Sequence, residues 1–92
     1  MDFLFSIEDV FEIKGHRNII VPGISYSYPN PVGVGAKITI ETPNGQIIET
    51  TIAGFEMINR GKKMEHAPFS IPKGIEKSQL PAGSKVYLAT LK

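Results

Sequence analysis

Short runs of β-branched residues, broken every few positions by Gly, Pro or Asn, dominate the chain, and no window of a dozen residues holds a helical period. That pattern predicts an all-β domain. Ile7 to Ile13 and Asn18 to Val21 flank Lys14-Gly15-His16-Arg17, a connection in which Gly15 can take positive φ, so a first hairpin is expected. Pro22-Gly23 marks the end of the second strand. In Lys37 to Glu41, Ile38 and Ile40 alternate with Lys37, Thr39 and Glu41, which predicts a strand with one wet face.

Thr42-Pro43-Asn44-Gly45 is the strongest turn signal, because Pro presets φ and Asn-Gly tolerates the left-handed region. A long returning strand is expected from Gln46 to about Met57, with Gly54 as a bulge or corner. Ile58 to Pro68 is polar and basic and predicts an exposed loop; a short strand follows at Phe69 to Ile71. Ile75 to Leu80 suits a single helical turn, Pro81 to Ser84 a tight turn, and Lys85 to Leu91 a closing strand. Six to seven short strands in one domain spanning residues 1–92 must hide their edges, and a small closed antiparallel β-barrel is the expected solution.

Composition narrows the chemistry. Ten Lys and Arg against nine Asp and Glu leave a net charge of +1, too small a field to draw in polyanions from a distance, so nucleic-acid affinity would need a local site. The absence of cysteine removes disulfides, thiolate metal sites and cysteine nucleophiles, and fits a reducing, cytoplasmic setting. Glu8 and Asp9 interrupt the first apolar run before it reaches the length of a secretory leader, and no run reaches the roughly 20 apolar residues of a membrane-spanning helix, so a soluble protein is expected.

Catalysis and cofactors are not expected. Glu8 and Asp9 are adjacent on a presumed strand and would point to opposite faces, so they cannot flank one bond. His16 and His66 lack a third ligand at metal-binding spacing. Gly33-Val34-Gly35 lacks the third glycine and following helix of a dinucleotide site. Gly61-Lys62 has Glu56 where a phosphate-binding loop needs glycine, so no nucleotide is expected. Tyr26 and Tyr28, at i and i+2, would share one strand face and either pack across strands or stack on bases. Arg60, Lys62 and Lys63 form a basic stretch that either is simply solvated or neutralises phosphates.

The run Ser6-Ile7-Glu8-Asp9-Val10-Phe11-Glu12-Ile13-Lys14-Gly15 resembles the opening strand of the second domain of elongation factor Tu and related translational GTPases. Further similar strings follow in the family's order: Val34 to Ile38, Thr51 to Met57, Lys73 to Glu76 and Leu80 to Ala89. Together they cover nearly the whole chain. The resemblance implies a non-catalytic β-barrel binding module that contacts a tRNA acceptor end or other RNA of the translation apparatus. It places Glu8, Asp9 and Phe11 in the pocket for the esterified amino acid and terminal nucleotide, and Glu56 beside the terminal ribose and adenine. The family's Gly-Arg-Gly hairpin tip corresponds to Gly15-His16-Arg17, which leaves Arg17 as a candidate cation. Ile58-Asn59 replaces the family's His-Arg pair and Ala67 its Asn, departures that also fit a module turned toward a protein partner.

Overall fold

A computed structural model describes residues 2–13, 17–56 and 65–89. The described residues form eight strands and one short 3-10 turn: β1 (Asp2–Ser6), β2 (Asp9–Ile13), β3 (Arg17–Ser25), β4 (Lys37–Glu41), β5 (Ile47–Thr51), β6 (Gly54–Phe55), β7 (His66–Ile71), the turn Lys77–Gln79, and β8 (Lys85–Leu88). All pairings are antiparallel. They build two four-stranded sheets, β1-β8-β4-β5 and β2-β3-β7-β6. The all-β antiparallel reading holds, while the ladders run as two sheets and not as one closed sheet of six or seven strands.

The two sheets share one core. Phe5, Ile7, Val10, Ile20, Ile24, Ile38, Ile40, Ile52, Phe69, Ile71, Leu80 and Val86 pack together, and Phe5 meets Phe69 edge to face. In β4 the two isoleucines alternate inward as the sequence indicates, but the opposite face is not the wet one expected, since Thr39 is buried and Glu41 half-buried. Ile38 and Ile40 are almost fully buried, and Lys37 lies in solvent.

The chain passes between sheets at two corners. At the first, the Ile7 N–H donates to the Ser84 carbonyl in line with the first sheet, and one residue later the Glu8 N–H donates to the Val21 carbonyl in line with the second. The expected opening strand Ile7 to Ile13 is therefore shorter, Asp9–Ile13, and an unforeseen β1 precedes it. At the second corner the Ile52 N–H donates to the Ala36 carbonyl of the first sheet and the Ala53 N–H to the Ser70 carbonyl of the second. The expected long strand from Gln46 is thus split into β5 and β6, beside Gly54; Met57 lies outside the described residues.

Other boundaries also differ from the sequence reading. β3 does not stop at Pro22-Gly23 but runs on to Ser25, because the register shift between Ile20 and Ile24 absorbs the pair. Gly23 has φ 97° and lies so close to β7 that a Cβ there would collide with the Ala67 carbonyl. Tyr26 and Tyr28 share no strand: Ser25 begins a turn closed by the Tyr28 N–H donating to the Ser25 carbonyl (3.0 Å). β7 begins at His66, so His66, Ala67 and Pro68 belong to a strand that Phe55 and the Glu56 N–H pair against. The closing strand ends at Leu88, with Thr90 and Leu91 outside the described residues. The Asn44-Gly45 turn and the single turn near Ile75 to Leu80 are where the sequence puts them.

Candidate functional site

Strand parity in the second sheet decides which candidates meet. Val10, Ile20 and Phe69 are cross-strand neighbours and all point into the core. Asp9, Phe11, Ile19 and Ser70 occupy the alternate positions, so their side chains lie on the outer face. Gly54 pairs with Ser70 and shares this outward parity. The Glu56 carboxylate reaches the same side, since its Oε2 would lie 3.9 Å from a Cβ built on Gly54. Asp9, Phe11 and Glu56 are therefore held on one face by two segments, β2 for the first two and the residue after β6 for the third.

Their positions along the face are set by the ladder. Asp9 pairs with Val21, and the Glu56 N–H donates to the Pro68 carbonyl (2.9 Å) on β7, the neighbour of β3. Asp9 and Glu56 thus flank one end of the sheet, about three strand spacings or ~14 Å apart. Phe11 is half-buried on β2 beside Asp9, two residues further along the same strand and opposite Ile19. Arg17 shares their parity but stands at the other end of β3, four residues or about 13 Å from Val21. It is not brought into contact with the acidic residues.

Glu8 and Asp9 are both exposed, Glu8 at the corner that follows Ile7 and Asp9 at the start of β2. The Asp9 Oδ1 accepts from the Val10 N–H (2.7 Å), which closes part of the β2 edge. Arg60, Lys62 and Lys63, and with them His16, Ile58 and Asn59, lie outside the described residues. Among the described residues no group of three or more His, Cys, Asp or Glu could hold a metal ion. No helix among them is long and apolar enough to cross a membrane.

Comparison with family models, curated proteins and solved structures gives no match.

The same face holds residues that sequence reasoning did not single out. Ile19 and Val21 point outward yet are only 6% and 4% exposed, and Ser70 is fully buried there, its Oγ donating to the Gly54 carbonyl. A signal existed: three consecutive apolar residues, Ile19-Ile20-Val21, require both sides of a strand to be covered. Asn18, also buried, donates from Nδ2 to the Ile75 carbonyl (2.7 Å) and ties β3 to the segment before the 3-10 turn. Nothing in its neighbours announced that role.

Tyr26, Tyr28 and Phe55 form a second feature. With Ile24, Val32 and Ala67 they line an open groove of about 270 Å³. Tyr26 is 63% exposed, and Tyr28 is anchored by its hydroxyl donating to Asp2 Oδ2 (3.2 Å).

Proposed function

We propose that the protein is a non-catalytic binding module of the cytoplasm, of the kind formed by the second domain of elongation factor Tu, and that the outer face of its second sheet takes a tRNA acceptor end or another RNA element of the translation apparatus. The observation that supports this reading is the shared outward side of Asp9 and Phe11 on β2 and of Glu56 at the opposite edge of the same sheet. In the same reading the two sheets are the halves of one small barrel, with the bent segments through Ile7 and through Ile52-Ala53 each serving both halves.

The chemistry suits such a ligand. Carboxylates of Glu8, Asp9 and Glu56 accept hydrogen bonds from an α-ammonium group or from ribose hydroxyls, and the Phe11 ring offers an apolar surface for a base. Arg17, at the far end of the face, is placed for a phosphate further along the chain, and Arg60, Lys62 and Lys63 supply additional cations. Affinity comes from these few contacts and falls with added salt.

Fluorescence anisotropy with a labelled, aminoacylated minihelix RNA tests the reading. Replacing Glu56 by Gln removes a charge-assisted hydrogen bond and weakens binding by about tenfold. Equal affinity for wild type, Glu8→Gln and Glu56→Gln would overturn it.

A protein-docking role is the second reading, favoured by the exposed aromatic groove around Tyr26 and Phe55. Pull-downs with and without RNase separate the two. Partners lost on RNase treatment support the RNA face, and partners that persist and depend on Tyr26 support the groove.

A further inference from the structure

Backbone hydrogen bonding on the first sheet leaves one edge open in a regular way. The β4–β5 ladder runs without a register shift from Lys37 opposite Thr51 to Glu41 opposite Ile47. On either side of it the Ile52 N–H donates to the Ala36 carbonyl and the Thr42 N–H to the Gln46 carbonyl. In an antiparallel ladder bonded and non-bonded pairs alternate, so Ile38 with Thr50 and Ile40 with Ile48 are the bonded pairs between these limits. The N–H and C=O groups of Ile47, Glu49 and Thr51 therefore point away from β4. Among the described residues no strand lies beyond them.

The other edges are blunted. β1 carries a register shift between Phe3 and Phe5, and Asp2 accepts from the Tyr28 hydroxyl. β2 is partly closed by the Asp9 side chain on the Val10 N–H, and β6 is two residues long. β5 has no proline, no lysine and no bulge to protect it as an edge. Its one guard is Glu49, exposed at the middle of the strand.

That charge selects the occupant. Glu49 faces Thr39 across the ladder, so no cation opposes it. A second copy of this chain pairing over the full length of β5 about a two-fold axis would set Glu49 directly against Glu49, a like-charge pair that disfavours self-association. A strand with a basic residue at that position gains the opposite-charge pair. On the inner face Ile48 and Thr50 are half-buried and Ile48 packs against the core, so the positions flanking Glu49 are β-branched and turned toward apolar surroundings.

We propose that β5 is a docking edge for an extended polypeptide segment, added antiparallel to the first sheet, with a Lys or Arg opposite Glu49 and aliphatic residues on either side of it. Backbone bonds to Ile47, Glu49 and Thr51 supply the affinity, and Glu49 supplies the choice of partner. The surface is on a different sheet from the acidic and aromatic face, and it stands whether or not that face binds RNA.

The test uses the full isotopically labelled chain and a capped seven-residue peptide alternating threonine and valine with lysine at its centre. Amide resonances of Ile47, Glu49 and Thr51 shift and gain protection from hydrogen exchange on titration, while those of Ile48 and Thr50, already bonded to β4, change little in protection. The charge-reversing variant Glu49→Lys loses about fivefold in affinity for the lysine peptide and prefers the same peptide with a central glutamate. A lysine peptide N-methylated on the residues that face β5 does not bind. Shifts centred elsewhere, no shifts at millimolar peptide, undiminished binding of the methylated peptide, or a β5-mediated dimer of the free chain would each overturn the proposal.

Discussion

The two sheets contribute to the core in the same way and differ in what they leave outside. Each turns alternate apolar positions inward, Ile38, Ile40 and Val86 from one and Val10, Ile20 and Phe69 from the other. Outside, the second sheet gathers carboxylates and an aromatic ring on its face and closes its β2 edge with Asp9. The first sheet ends instead in a strand whose outward backbone groups, those of Ile47, Glu49 and Thr51, meet no further strand among the described residues. Inward positions specify that the chain folds; outward positions and edges specify what it meets.

The largest effects belong to the shared interior. Phe69 is fully buried, touches the rings of both Phe5 and Phe55, and pairs with Ile20. Truncation to Ala is expected to cost about 3–5 kcal/mol, measured by denaturant unfolding, whereas Ile47→Ala on the open edge changes stability by no more than about 0.5 kcal/mol. Similar losses at the two positions would break the division between interior and edge.

Two glycines sharpen the same contrast at smaller amplitude. Gly23 and Gly45 have nearly the same φ, 97° and 90°, but a Cβ at Gly23 strikes the Ala67 carbonyl while one at Gly45 meets open space. Gly45→Ala is expected to cost about 1–2 kcal/mol from its backbone conformation alone. Gly23→Ala adds the collision between β3 and β7 and costs about 3 kcal/mol or more. Equal costs in thermal or denaturant melts would show that the β3–β7 approach is looser than described.

Most strands after β1 were legible in the sequence, while β1 and the strand endings were not. Ile38 and Ile40 announced β4 by alternation, and Asn44-Gly45 announced the turn after it, because both signals are local. The continuation of β3 past Pro22 and Gly23 was hidden, since it depends on β7 accepting a register shift. The corners at Ile7 and Ile52 depend likewise on partners distant in sequence. For the candidate face, family likeness marked Glu8, Asp9, Phe11 and Glu56 one at a time. The common side of Asp9, Phe11 and Glu56 follows only from the β2-β3-β7-β6 order, and the corner at Glu8 that precedes β2 depends on Val21, which is distant in sequence.

The central proposal is that Glu8, Asp9, Phe11 and Glu56, at the margins of the second sheet's outer face, form a binding surface. Titration of the labelled protein with aminoacylated minihelix RNA, followed by amide chemical shifts, tests it most directly. The account predicts perturbations that centre on Glu8, Asp9, Phe11 and Glu56 and leave β4 and β5 unmoved. Resonances of that face unchanged at high micromolar RNA, or perturbations confined to the first sheet, would contradict it.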